Sequence, residues 1–113
     1  MHEVAIMTEA VRMATESAQT AGAKRVTALR LRIGVLSGVV PDALQFAWDV
    51  VRGDTMLAEA RLDIDSIAAV CWCAKCQVEF ECKDLISECP QCHELSSEWR
   101  RGRELEIAAV ECE

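Results

Sequence analysis

Six of the seven cysteines fall between positions 71 and 92, and four of those six are spaced to hold a metal. Cys73-Ala-Lys-Cys76 and Cys89-Pro-Gln-Cys92 are two Cys-x-x-Cys knuckles separated by twelve residues. Each knuckle turns tightly enough for both sulfurs to face one ion, and two knuckles close a thiolate tetrahedron around Zn²⁺ at about 2.3 Å. Four thiolates leave no open position for water, so the site is expected to be structural. Two rival chemistries use the same residues: a redox dithiol at a knuckle, and haem attachment at Cys89-Pro-Gln-Cys92-His93. The tandem spacing favours zinc over both. Cys71 and Cys82 add two sulfurs nearby, so six compete for four places, and spacing again favours the knuckles. His93 is either an exposed neighbour of the site or a hydrogen-bond donor to one of its thiolates.

The other residue with metal chemistry is His2. His-Glu-x-x-His would need a second histidine at position 6, where Ile6 stands, so the zinc-protease motif is absent. The amine of Met1, the amide nitrogen of His2 and its imidazole can instead chelate one cation in adjoining rings. The amide of Glu3 would complete a square of nitrogens, a geometry that favours Ni(II) or Cu(II) over zinc or magnesium. From chemistry alone, a second-position histidine is usually a plain exposed surface residue, with chelation the rarer reading.

The elements that must position these groups follow from periodicity. Val4, Met7, Val11, Ala14 and Ala18 form one stripe of a helix over residues 3–20, closed by Gly22. Met7 and Met13 read as core packing. Residues 25–36 switch to period two, with Leu29, Leu31, Ile33 and Val35 on one face and Arg30, Arg32 and Gly34 on the other. Pro41 opens a second helix whose inward stripe is Leu44, Ala47, Trp48 and Val51, widened by Phe46 and Val50. A second strand spans 60–70 with Leu62 and Ile64 inward, and a third spans 104–110 with Leu105 and Ile107 inward. The expected fold is α+β: two helices on one face of a three-stranded mixed sheet, with a four-Cys zinc-ribbon hairpin lobe inserted before the last strand. The domain division is residues 1–70 plus 103–113 against residues 71–102. On the outer face, Arg30 and Arg32 are expected to pair across strands with Asp63, Asp65, Glu104 and Glu106.

Composition narrows the function classes. The chain has 113 residues and a net charge of −7, and four thiolates around one Zn²⁺ would make it more negative still. Nucleic-acid binding relies on Lys and Arg against phosphate, so no nucleic acid is expected. Arg100, Arg101 and Arg103 read as a solvated linker. No run approaches the ~18 apolar residues of a membrane span, and no secretion signal is read at Met-His-Glu-Val. An odd number of cysteines without such a signal points to a reducing cytoplasm. No nucleophile–base pair or phosphate-binding loop is read, so the protein is not expected to be an enzyme.

Met1-His2-Glu3 opening a helix, Ser37-Gly38-Val-Val-Pro41-Asp-Ala-Leu-Gln-Phe46, Ala60-Arg-Leu62 and the two knuckles together resemble the HypA/HybF family. The resemblance covers nearly the whole chain. It implies a nickel chaperone for [NiFe]-hydrogenase maturation. Ni(II), the transferred cargo, would sit at Met1, His2 and Glu3 with the His2 side chain principal, and structural Zn(II) at Cys73, Cys76, Cys89 and Cys92. It implies a HypB-type GTPase and the hydrogenase large subunit as partners; a weak homodimer is also carried as an expectation. His93-Glu94 stands where many members have Gly-Ser.

Overall fold

The computed structural model describes residues 2–113. In chain order the elements are α1 (His2–Thr20), β1 (Val26–Gly34), α2 (Pro41–Val51), β2 (Arg61–Ile67), β3 (Val70–Cys73), β4 (Val78–Glu81), β5 (Ser87–Glu88), β6 (Leu95–Ser96), β7 (Trp99–Arg101) and β8 (Leu105–Cys112). They form a three-stranded sheet ordered β2-β1-β8, a second ordered β4-β3-β7, and the ribbon β5-β6. The expected α+β architecture is present. The chain divides into two units. One comprises the chain up to Arg32, Val39–Asp65 and Glu106–Glu113; the other comprises Ile33–Gly38 and Ser66–Leu105.

In the first unit, α1 buries Met7, Ala10, Val11, Ala14 and Ala18. It ends because Gly22 adopts φ +75°, which lets Ala23 N–H reach Ala18 O (2.9 Å) and Gly22 N–H reach Gln19 O (3.0 Å). α2 starts at Pro41, which needs no donor in the first turn, and buries Leu44, Ala47 and Trp48. The Arg52 guanidinium closes the end of α2. It stacks over Trp48 at 5.2 Å and donates to Ala60 O at 2.6 Å. Leu29, Leu44 and Leu57 are fully buried, each contributing about 1.5–3 kcal/mol relative to exposure. The outer ion pairs form in part as expected: Arg32 meets Glu106 at 2.5 Å and Arg30 meets Asp65 at 4.0 Å. Asp63 pairs instead with Arg61 on its own strand.

Several side chains expected inside lie outside. Met13 is 47% exposed, Phe46 69% and Val50 59%. Val35 is exposed because β1 ends at Gly34, and Leu105 because it opens β8 on a sheet edge. Val4 is only half-buried.

In the second unit, β3 pairs antiparallel with β4, setting Cys71 opposite Phe80 and Cys73 opposite Val78. Strand alternation turns Cys71 and Cys73 to the same face. There they join Ala69, Phe80, Cys82 and Cys89 in a buried cluster. Trp72 points the other way, under the Arg100 guanidinium at 4.4 Å. The chain crosses itself at the base of this unit. Leu36 N–H donates to Gly102 O (2.7 Å), Gly34 N–H to Glu104 O (2.8 Å) and Val35 N–H to Ile67 O (3.0 Å). A Cβ on Gly34 would fall inside the Gly102 carbonyl group, and one on Gly102 would lie 2.5 Å from Ala69 Cα. Two side-chain-free residues are therefore required at this crossing.

Candidate metal centre

Cys73 ends β3, Cys76 lies in the turn before β4, Cys89 follows β5 and Cys92 precedes β6. The two knuckles have the same backbone plan. Cys76 N–H points at Cys73 Sγ and Gln91 N–H at Cys89 Sγ, each at 3.4 Å. Gln77 N–H donates to Cys73 O (2.7 Å) and His93 N–H to Cys89 O (2.9 Å). Both of those donors follow the second cysteine, and both are left-handed, Gln77 at φ 54° and His93 at φ 65°. A non-glycine residue in that region costs roughly 1–2 kcal/mol.

The Sγ atoms of Cys73, Cys76, Cys89 and Cys92 all lie within 4.8 Å of one another, and Cys73 and Cys92 are 3.5 Å apart. Tetrahedral Zn²⁺ with ~2.3 Å bonds needs sulfurs about 3.8 Å apart. The four residues therefore fit structural zinc without rebuilding the backbone. As thiols they differ. Amide donors from Cys92 and Gln91 hold Cys89 down to about 7, while a proton shared with Cys92 pushes Cys76 up to about 12. Cys71 and Cys82 do not join the set. Burial, with Cys82 as neighbour, pushes Cys71 up to about 12. His93 is exposed, and its Nδ1 lies 2.6 Å from Glu88 Oε1, so it meets a carboxylate and not a thiolate. The arginines of the linker are engaged: Arg101 pairs with Glu79 at 2.7 Å, and Arg103 stacks over Trp99 at 4.7 Å.

At the other candidate site, Met1 lies outside the described residues. His2 opens α1 with its side chain 62% exposed, and its Nε2 is 3.6 Å from Glu3 Oε2. Glu3 is only 15% exposed, and its Oε2 accepts from Val40 N–H at 3.4 Å. Its own amide, followed by that of Val40, holds its carboxyl below the usual range despite partial desolvation. Among the described residues, the four cysteines are the one group of three or more donors that converges. Sequence reasoning did not find the Glu3–Val40 link. The available signal was Val40 itself, an apolar residue preceding Pro41 where a helix ordinarily has Ser, Thr, Asp or Asn.

A family model described as hydrogenase/urease nickel incorporation, metallochaperone, hypA matches residues 1–112. This chain belongs to the HypA family. Among curated relatives, a hydrogenase maturation factor HypA from Picosynechococcus sp. is 44% identical over 111 residues, covering 98% of each chain. One from Roseiflexus sp. is 41% identical over 114 residues, covering 100% of this chain and 93% of the relative. Of solved structures, the solution structure of a HypA protein aligns with TM-score 0.72 at 21% identity, over 100% of this chain and 97% of the other. That of the Ni metallochaperone HypA from Helicobacter pylori aligns at TM-score 0.65 and 19% identity, over 97% and 96%. These two likenesses bear on the fold alone. HypA proteins are nickel metallochaperones of hydrogenase maturation, not a family of catalysts. Among the described residues, no helix is long and apolar enough to cross a membrane.

Proposed function

We propose that this chain carries Ni(II) on the Met1 amine, the His2 amide and imidazole and the Glu3 amide. It would pass the ion, with a HypB-type GTPase, to the large subunit of [NiFe]-hydrogenase in the cytoplasm. Residues 1–70 with 103–113 would be the nickel-binding domain and residues 71–102 the zinc lobe held by Cys73, Cys76, Cys89 and Cys92, although contacts within the chain group Ile33–Gly38 and Ser66–Leu105 with the lobe. The observation that carries this reading is the place of His2, exposed in the first turn of α1. First-turn amides have no helical acceptor, so a metal takes them without breaking a helical hydrogen bond, although the Glu3 amide must give up its own carboxylate. A seat on exposed nitrogens exchanges readily with a partner, whereas four sulfurs locked in two knuckles do not. Binding must displace protons from amine, imidazole and amide, so acidification releases the cargo.

The test is elemental analysis and Ni(II) titration of the untagged protein and of His2→Ala. Zinc should stay at one per chain in both, and nickel should bind only the first. Equal nickel uptake by His2→Ala would refute the assignment. A residue added before Met1 should abolish binding as well, by blocking the amine.

A further inference from the structure

The first turn of α2 lacks one of its usual parts. In a capping box, the third helical residue sends a Glu or Gln side chain back to the backbone N–H of the N-cap residue. Here the N-cap is Val40, with φ −92° and ψ 118°, and it offers no side-chain cap of its own. The third helical residue is Ala43, which cannot reach back. Glu3 fills the gap from the other helix: its Oε2 accepts from Val40 N–H at 3.4 Å. The side chain is 15% exposed beside a His2 that is 62% exposed, and the same Oε2 also lies 3.6 Å from His2 Nε2.

We infer that Glu3 is a positioning residue whose carboxylate pins the start of α1 to the N-terminus of α2, holding the amide of residue 3 in place for the metal. This rests on the nickel reading above and assigns the side chain a part separate from the backbone nitrogen. The physical need is clear. Ordering the residues that carry the ligand nitrogens costs entropy, which falls on the metal unless something else bears it. A carboxylate anchored to a helix N-terminus is also favoured by the macrodipole. The tether orders the third nitrogen, and the imidazole of residue 2, 3.6 Å from the same carboxylate, stays exposed to solvent or a partner.

Three variants test this, each read by Ni(II) titration and by the Val40 amide in metal-free protein, through its chemical shift and hydrogen exchange. Glu3→Ala should free the Val40 amide and weaken nickel about tenfold, as for other groups that orient metal ligands. Glu3→Gln, which keeps the acceptor, should recover most of that loss. Ala43→Glu supplies a local capping acid that competes for Val40 N–H. It should weaken nickel in the same direction, and Glu3→Ala should add nothing further in that background. The inference is overturned if Glu3→Ala binds nickel normally, if the Val40 amide is unmoved, or if Glu3→Gln is as poor as Glu3→Ala. The last result would make the carboxylate itself a ligand. Failure of the parent protein to bind nickel at all would sink the chaperone reading and the metal role together, and the Val40 amide would still report whether the tether exists.

Discussion

Replacing Gly34 by Ala should be among the most damaging single changes in this chain, although it adds one methyl group. The new Cβ would occupy the space of the Gly102 carbonyl, and that neighbour is backbone, not a flexible side-chain end. Relief requires the crossing to open, which strains Leu36 N–H to Gly102 O and Gly34 N–H to Glu104 O. Overpacking costs about 1–3 kcal/mol, and two weakened backbone bonds add about 1 kcal/mol each. The expected loss is therefore roughly 3–5 kcal/mol. For a chain of this length that corresponds to a melting temperature about 10–20 °C lower. Gly53→Ala is the control, since a Cβ there meets nothing within 4 Å. Thermal melts of both variants by circular dichroism decide the matter. A Gly34→Ala protein within about 1 kcal/mol of the parent would show that the crossing is not as tight as described.

Gln77→Gly should stabilise the first knuckle. Relief of a left-handed residue at about 1–2 kcal/mol, less the ~0.5–1 kcal/mol entropy cost of glycine, leaves a gain near ~0.5–1 kcal/mol, whereas Gln77→Val should lose stability. A denaturant melt that ranked Val above Gly would contradict the φ of 54°. Zinc binding should release about one fewer proton at pH 8 than at pH 6, because metal-free Cys89 ionises at about 7. The sign follows from the depressed value. Its stabilising contribution is present above the ordinary thiol range and is lost as pH falls through about 7. Calorimetry in buffers of different ionisation enthalpy measures the proton count, and equal release at both pH values would contradict the assignment. Arg32→Glu should cost more than Arg30→Glu, both within about 1 kcal/mol, since the Arg32 pair with Glu106 is much closer than that of Arg30 with Asp65.

What could be read from the sequence was mostly local. Knuckle spacing, the stripe from Met7 to Ala18 and the alternation of Leu29, Leu31 and Ile33 all lie within a few residues of chain, where helix and strand geometry dictate which side chains share a face. Phe46 and Val50 lie outside because periodicity gives the centre of a buried stripe and not its width, which the packing partner sets. The Glu3–Val40 contact and the Gly34–Gly102 crossing join residues far apart in sequence; Val40 before Pro41 signals only that a cap is missing, not which residue supplies it, and no local pattern marks the crossing. The left-handed turns after Cys76 and Cys92 were hidden because Gln77 and His93 stand where glycine would have announced them.

Cys71 and Cys82 impose a sorting problem on biogenesis. An unfolded chain offers incoming zinc six comparable thiols within twenty-two residues, and many wrong foursomes are open to it. In the folded lobe Cys71 on β3 and Cys82 after β4 lie outside the converging quartet, although Cys73 and Cys89 are buried in the same apolar cluster. A lobe folded before the ion arrives would therefore present only the right quartet, whereas an unfolded chain would not discriminate.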